Sequence, residues 1–199
     1  FITGKNMAES PALASMMSAA AAAGMEPMHW ARVEPEPPAP LLYEAASEVS
    51  DFRGDCLIAL GGGSSMDFTK MTAVLARYPK INIADMIGSE KVPARGLPTI
   101  MIPTTAGSGS EVSAVAVFSF ADEKTKKGVA SGNIVADIAL VDPELTHGLP
   151  AHITAAAGMD ALIHAVESYL SLGTNPLTQD LALASITKIA PNLAQCVKE

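Results

Sequence analysis

Three groups of residues in this sequence have the types and spacing to do chemistry. Asp160 and His164 stand four apart in Gly158-Met159-Asp160-Ala161-Leu162-Ile163-His164, whose pattern predicts a helix opening there and reaching about Ser171. Residues at that spacing lie one above the other on a helix, so a carboxylate and an imidazole would share one site. A divalent first-row metal usually takes three or four protein ligands of this kind, and the pair supplies part of such a set. The same spacing also describes a surface ion pair, the commoner outcome of an i,i+4 polar pattern. The second group, Gly61-Gly62-Gly63-Ser64, would let backbone approach a phosphate closely, with the N–H groups of the next helix aimed at it. A tight strand-to-helix turn is the alternative, since the loop is neither G-x-G-x-x-G nor a P-loop. The third group, Thr104-Thr105-Ala106-Gly107-Ser108-Gly109, brings hydroxyls and two permissive glycines.

These groups must be positioned by regular elements, and the patterning supplies them. Phe1 to Gly4 reads as the tail of a strand whose beginning is cut off, followed by a helix over Ala12 to Ala23 with Ser10 as N-cap, Pro11 at N1 and Gly24 as the stop. A short strand within Met25 to Val33 and a proline-rich loop from Glu34 to Pro40 lead to a helix over about Leu41 to Val49. Asp55 to Leu60 is a continuous apolar run that fits a strand buried on both faces, and Met66 to Arg77 is helical. Thr99 to Ile102 repeats the arrangement of a strand ending in a small polar loop. Strand, glycine loop and helix in that order predict a parallel α/β sheet with ligands beyond the carboxyl ends of its strands. Val112 to Phe120 and the segment from Val129 should form a hairpin around a polar turn at Asp122 to Lys127. Ile138 to Val141 reads as a further buried strand. Beyond Pro150 the pattern is helical, punctuated by Pro176 and Pro191.

Composition narrows the function classes. The net charge is −8, and the Lys124, Lys126, Lys127 group is the largest basic cluster, which argues against a nucleic-acid partner. Cys56 and Cys196 have neither metal nor redox spacing and predict buried or inert thiols in a reducing compartment, by default the cytoplasm. The Ala- and Met-rich stretch from Pro11 to Gly24 is too short to span a bilayer and lacks a basic flank, so no membrane partner is expected.

Taken together and in order, Gly61-Gly62-Gly63-Ser64-Ser65-Met66-Asp67 with Lys70, Pro103 through Glu111, Asp142-Pro143-Glu144-Leu145, and Gly158 through Glu167 closely resemble the iron-containing alcohol dehydrogenases. The resemblance runs through the whole chain. It implies an N-terminal, Rossmann-like parallel-sheet domain binding NAD or NADP over residues 1–148, its first strand truncated. The start of an all-helical metal-binding domain, incomplete, would occupy 149–199. Gly62, Gly63 and Ser64 would hold the cofactor diphosphate, with Asp67 just beyond. Thr104, Thr105 and Ser108 would contact the diphosphate and the nicotinamide side. Lys126 falls where family members often have a cofactor-contacting lysine, with Lys127 as runner-up and a solvated hairpin lysine as the plain alternative.

Asp160 and His164 match the first metal ligands, for Fe2+ or Zn2+ in its place. Glu167 is read as a capping carboxylate, and His147 and His152 as surface or structural residues. The implied reaction is hydride transfer between NAD(P) and a small alcohol, aldehyde or ketone, with the metal activating the oxygen. No residue stands out as a general base.

Departures from the family pattern shape the remaining expectations. No histidine follows His164, whereas the family completes its site with two later histidines, so these 199 residues alone should bind metal poorly and not turn over. Gly4 stands where NAD-preferring members commonly carry an Asp, and Lys5 follows it. An acid there would bond the ribose 2′-hydroxyl and repel a 2′-phosphate, so NADP should be tolerated or preferred. Glycerol dehydrogenase-like and maleylacetate reductase-like relatives are alternatives, and the Asp160 and His164 pair disfavours the metal-free members among them. A nucleotide-binding module without catalysis is another. Relatives are often dimers, and the apolar first strand or the hairpin could pair edge to edge in a homo-oligomer.

Overall fold

The computed structural model describes residues 1–35, 37–120 and 125–198. Two compact units make up the chain, one formed by residues 1–104 with 110–142 and the other by 105–109 with 143–199. In the first unit the chain runs through β1 (Ile2–Gly4), α1 (Pro11–Ala22), β2 (Trp30–Val33), α2 (Ala39–Phe52), β3 (Leu57–Gly61) and α3 (Gly63–Arg77). It continues through the short α4 (Ile83–Met86), β4 (Gly88–Ser89), β5 (Thr99–Pro103), β6 (Val115–Phe120), β7 (Thr125–Ala130) and β8 (Ile138–Ala139).

The main sheet is five-stranded, in the order β2-β1-β3-β5-β8, with every neighbouring pair parallel. The strand order turns back at β1, because β2 lies on one side of it and β3 on the other. That reversal makes a crevice at the carboxyl ends of β1 and β3, where α/β folds bind ligands. β1 therefore has partners on both sides, Trp30 and Val33 in β2 and Ala59 and Leu60 in β3. Edge-to-edge pairing through the first strand, expected from its apolar sequence, is excluded because its backbone groups are already used in the sheet.

Helix α1 has the expected start, with the Ser10 hydroxyl accepting from Leu13 N at 3.2 Å, and ends before Gly24 at φ +84°. α2 is longer than its apolar stretch because Pro38 and Pro40 fit a helix start, where no N–H is needed. α3 is the centre of the unit. It packs on β1, β3 and β5 on one side and on α2 and β6 on the other, and Phe68, Met71 and Leu75 are almost completely buried. Phe68 stacks on Trp30 with ring centroids 5.0 Å apart. Burying a side chain of that size stabilises the fold by roughly 1.5–3 kcal/mol.

A second, three-stranded sheet has the order β4-β7-β6. Its antiparallel β6–β7 pair is the expected hairpin, but Thr125, Lys126 and Lys127 belong to β7 and not to the turn, pairing with Phe120, Ser119 and Phe118. Residues 121–124, including Lys124 and the start of the expected turn, lie outside the described residues. β8 also departs from expectation. It spans only Ile138 and Ala139, both exposed, and Leu140 and Val141 beyond it are 47% and 65% exposed. β8 is the edge strand of its sheet and pairs with β5 alone.

The second unit contains a short helical turn at Pro143–Thr146, then α5 (Ala151–Leu170) and α6 (Pro176–Cys196), which pack against each other. α5 starts at Ala151, seven residues before the expected opening at Gly158. Pro150, with φ −57° and ψ +138°, sets the entry, and Gly158 lies in the helix interior. α6 begins as the sequence indicates, with Asn175 Oδ1 accepting from Thr178 N. It does not stop at Pro191 but runs through it. Leu193, two residues on, seats directly over Gly158 of α5. Both cysteines are exposed and unpaired, contrary to the buried alternative. Cys56 precedes β3 instead of joining it, and partial burial beside Asp55 and Asp137 pushes its thiol pKa up, which leaves it weakly nucleophilic.

Candidate cofactor and metal sites

The first glycine loop sits where the crevice requires it. β3 ends at Gly61, and Gly62 is the N-cap of α3, its carbonyl accepting from Ser65 N at 3.0 Å and Met66 N at 3.2 Å. No side chain caps this helix start. A helix that opens on glycine without a capping side chain leaves its first N–H groups directed at the space above the strand, with the favourable end of the helix dipole. Gly62, Gly63 and Ser64 are half-buried, which suits groups that line a ligand and are not sealed in a core. The second strand end is tied to the first: Thr104 N donates to Gly61 O at 3.0 Å, and Thr104 is buried.

Asp67 and Lys70, one turn apart on α3, make a buried polar node. The Lys70 side chain is fully buried, and its Nζ donates to Ser110 Oγ (2.8 Å), Ser113 Oγ (3.2 Å) and Val115 O (2.8 Å), with Asp67 Oδ1 at 3.6 Å. Asp67 accepts from Ser110 Oγ at 2.5 Å and from Val117 N at 3.0 Å. Val115 O and Val117 N lie on the edge of β6 that faces away from β7. Lysine and aspartate thus complete that edge as a neighbouring strand would, and an unpaired buried edge would otherwise be costly. Burial lowers the Lys70 pKa below its ordinary 10.5, while the charge and hydrogen bond of Asp67 and the charge of Glu111 oppose the shift. The sequence placed Asp67 near the cofactor; its carboxylate here fastens Ser110, at the end of the second loop, to the helix that opens with the first. The signal for this node was a lysine flanked by Thr69 and Met71, in the stretch of the helix richest in buried side chains.

Residues 105–109 belong to the helical unit. A Cβ on Gly107 would come within 2.7 Å of Ala157 O and 3.0 Å of Ala157 Cα, so only glycine lets the loop lie directly on α5. Thr105 and Ser108 are thereby carried against the same helix that bears Asp160 and His164. Those two side chains point the same way, with Oδ2 and Nδ1 3.7 Å apart and both about half exposed. One ion bound at about 2.0–2.2 Å by each would span that separation, so the pair fits part of a donor set. Among the described residues no group of three or more His, Cys, Asp or Glu side chains is arranged to hold a metal. Glu167, His147 and His152 are all exposed.

The remaining predicted residues lie in the first unit. Gly4 ends β1, with Lys5 opening a short turn, and the Lys5 ammonium is 3.2 Å from Glu34 Oε1. Lys126 and Lys127 occupy opposite faces of β7. Lys127 shares the core face with Val129, its ammonium 4.9 Å from the Phe120 ring centre, whereas Lys126 is on the exposed face beside Ser119.

Among the described residues no helix is long and apolar enough to cross a membrane. The model of the family described as iron-containing alcohol dehydrogenase matches residues 1–143, and that of the Fe-containing alcohol dehydrogenase family, C-terminal, matches 154–199. Long-chain-alcohol dehydrogenase 1 of Geobacillus thermodenitrificans is 42% identical over 168 residues, 83% of this chain and 42% of that protein. The sulfoacetaldehyde reductase of Bilophila wadsworthia is 34% identical over 194 residues, 98% of this chain and 50% of that protein. The crystal structure of a 1,3-propanediol oxidoreductase superposes with a TM-score of 0.94 at 32% identity, covering 99% of this chain and 51% of that one. A sulfoacetaldehyde reductase from Bifidobacterium kashiwanohense, solved in complex with NAD+, gives 0.91 at 31% identity over 99% of this chain and 52% of that one. The chain spans about half the length of these relatives. With both family models matched in order along it, the chain belongs to the iron-containing alcohol dehydrogenase family.

Proposed function

We propose that this chain carries the dinucleotide site and two metal ligands of an oxidoreductase that moves a hydride between NAD(P) and a small alcohol, aldehyde or ketone. The observation that carries the reading is the junction at the switch of the parallel sheet. There the uncapped start of α3 follows β3, and the Thr104 N–H bonds to Gly61 O. Gly62, Gly63 and Ser64 would hold the diphosphate on the helix N-terminus. Thr104, Thr105 and Ser108 would face its nicotinamide side, and Lys126 would add a cation from the exposed face of β7. Asp67 acts through Ser110, keeping the second loop in register with the first.

Asp160 and His164 would hold Fe2+, or Zn2+ in its place. Such an ion supplies polarisation of the substrate oxygen and lowers the pKa of an alcohol. The similarity to a structure solved with NAD+ supports NAD as a cofactor, and Gly4 in place of an acid leaves room for NADP. A homo-oligomer built on the edge of β2 is compatible with the strand order, and the cytoplasm suits two exposed free thiols.

The test is titration of the chain with NADH, followed by an assay of small-alcohol oxidation with added Fe2+ or Zn2+. Binding that is lost in Gly63→Val supports the dinucleotide site; absence of NADH and NADPH binding refutes it. A second reading, a nucleotide-binding module without catalysis, is favoured by the lack of a third metal-ligating side chain near Asp160 and His164 among the described residues. Under that reading NADH binds but no alcohol is oxidised with either metal.

A further inference from the structure

The chain has no acid at the end of β1, yet a carboxylate stands one strand away. Gly4 is in register with Val33 in β2, and the next residue, Glu34, extends from the carboxyl end of that strand. Its Oε1 lies 3.2 Å from Lys5 Nζ. Both side chains remain largely in solvent, 54% exposed for Glu34 and 70% for Lys5. The pair therefore sits at the carboxyl ends of β1 and β2, beside the crevice that opens between β1 and β3.

The direction of a bound dinucleotide follows from the proposed placing of its nicotinamide side at the Thr104 loop. The diphosphate belongs over the start of α3 beyond β3, and the Thr104 loop lies at β5 on one side of it. With nicotinamide toward β5, the adenosine ribose falls on the other side, at β1 and β2. An acid at that end of a nucleotide-binding sheet accepts from the 2′-hydroxyl, and a cation there accommodates a 2′-phosphate. Here both charges are present and bound to each other.

Resting on the dinucleotide reading above, we propose that the Lys5–Glu34 pair sets the choice between NAD and NADP. Glu34 serves as the ribose acid that Gly4 does not provide, and Lys5 serves as the 2′-phosphate cation. A 2′-hydroxyl donates to Glu34 with Lys5 still neutralising the carboxylate. A 2′-phosphate, carrying about −1.5 to −2 charge, takes Lys5 and is opposed by Glu34. The chain consequently accepts both cofactors, and either charge alone would bias it. Gly4 has ordinary extended backbone, φ −77° and ψ +163°, but a Cβ there would come within 3.3 Å of the Val33 carbonyl oxygen, so a side chain at this position would press on β2.

The experiment is fluorescence titration of NADH and NADPH against the chain, Glu34→Gln and Lys5→Gln, with circular dichroism to confirm folding. An exposed charge contact is worth up to about 1 kcal/mol, which is about fivefold in affinity. Glu34→Gln should raise the NADPH-to-NADH affinity ratio about fivefold, and Lys5→Gln should lower it by a similar factor. A ratio that fails to move in its stated direction in either variant, while both cofactors still bind, overturns this proposal and leaves the dinucleotide site standing. Failure of the parent chain to bind either cofactor overturns both.

Discussion

Helices α3 and α5 each bear residues with chemistry in them, yet they are held in opposite ways. α3 has ten buried residues in fifteen, including a lysine and three hydroxyl side chains, and is enclosed by two sheets and α2. α5 has one buried residue, Ala165, in twenty, and α6 has one, Ala182. The helix that opens on the glycine loop is thus fixed by a core on several sides. The helix that carries Asp160 and His164 is held by its partner helix and by the Gly107 loop. A phosphate cradle made of backbone N–H groups needs its helix immobile, because the groups cannot adjust independently of it. Two side chains on an exposed helix face can change rotamer without disturbing the core.

The largest effect should come from the core. Phe68→Ala is expected to cost about 3–5 kcal/mol in urea unfolding, whereas Leu181→Ala on the exposed face of α6 should stay within about 0.5 kcal/mol. Equal costs would break the comparison. The glycines sharpen it next. A Cβ on Gly96 would lie 2.5 Å from the Ala73 carbonyl carbon, in backbone that cannot yield, so Gly96→Ala should destabilise by about 1–3 kcal/mol. At Gly158 the obstacle is the tip of the Leu193 side chain, which can swing away, and alanine adds up to about 1 kcal/mol of helix propensity. Gly158→Ala should therefore be neutral or stabilising by calorimetry.

Lys70→Met removes three donated hydrogen bonds and should cost about 1–3 kcal/mol. It also carries a pH signature. With the Lys70 pKa lowered in the folded state, the native protein holds fewer protons than the unfolded chain between that value and 10.5. Unfolding free energy from this group therefore climbs with pH across that window and is level below it. The climb should vanish in Lys70→Met, as read from urea midpoints across the alkaline range. The smallest structural effect belongs to His164→Ala, which should leave stability within about 0.5 kcal/mol while the weak Zn2+ binding expected of Asp160 and His164 alone, read by calorimetry, falls further.

Much of the fold was legible because local patterns were unambiguous. The Ser10-Pro11 start of α1, the doubly buried β3, and the strand-loop-helix order needed only propensity and periodicity. The errors fell where a partner decided the outcome. Ile138 to Val141 has the composition of a buried strand, but only Ile138 and Ala139 pair in the sheet, and burial of their faces depends on layers packed above and below. Pro191 reads as punctuation, yet α6 runs through it, with Leu193 packed over Gly158. Lys126 and Lys127 read as turn residues and are strand residues, since their β6 partners are set by cross-strand register.

The sequence alone determined which residues could do chemistry: the glycine loop at 61–64, the hydroxyl loop at 104–108, and the Asp160 and His164 pair, whose shared face follows from helical spacing. Only the tertiary structure decided how the charged residues are used. Asp67 and Lys70 complete the open edge of β6, and Lys5 meets Glu34 across two strands. The reason is physical: backbone periodicity is a local property written residue by residue, whereas the partner of a charge depends on which distant strand ends beside it.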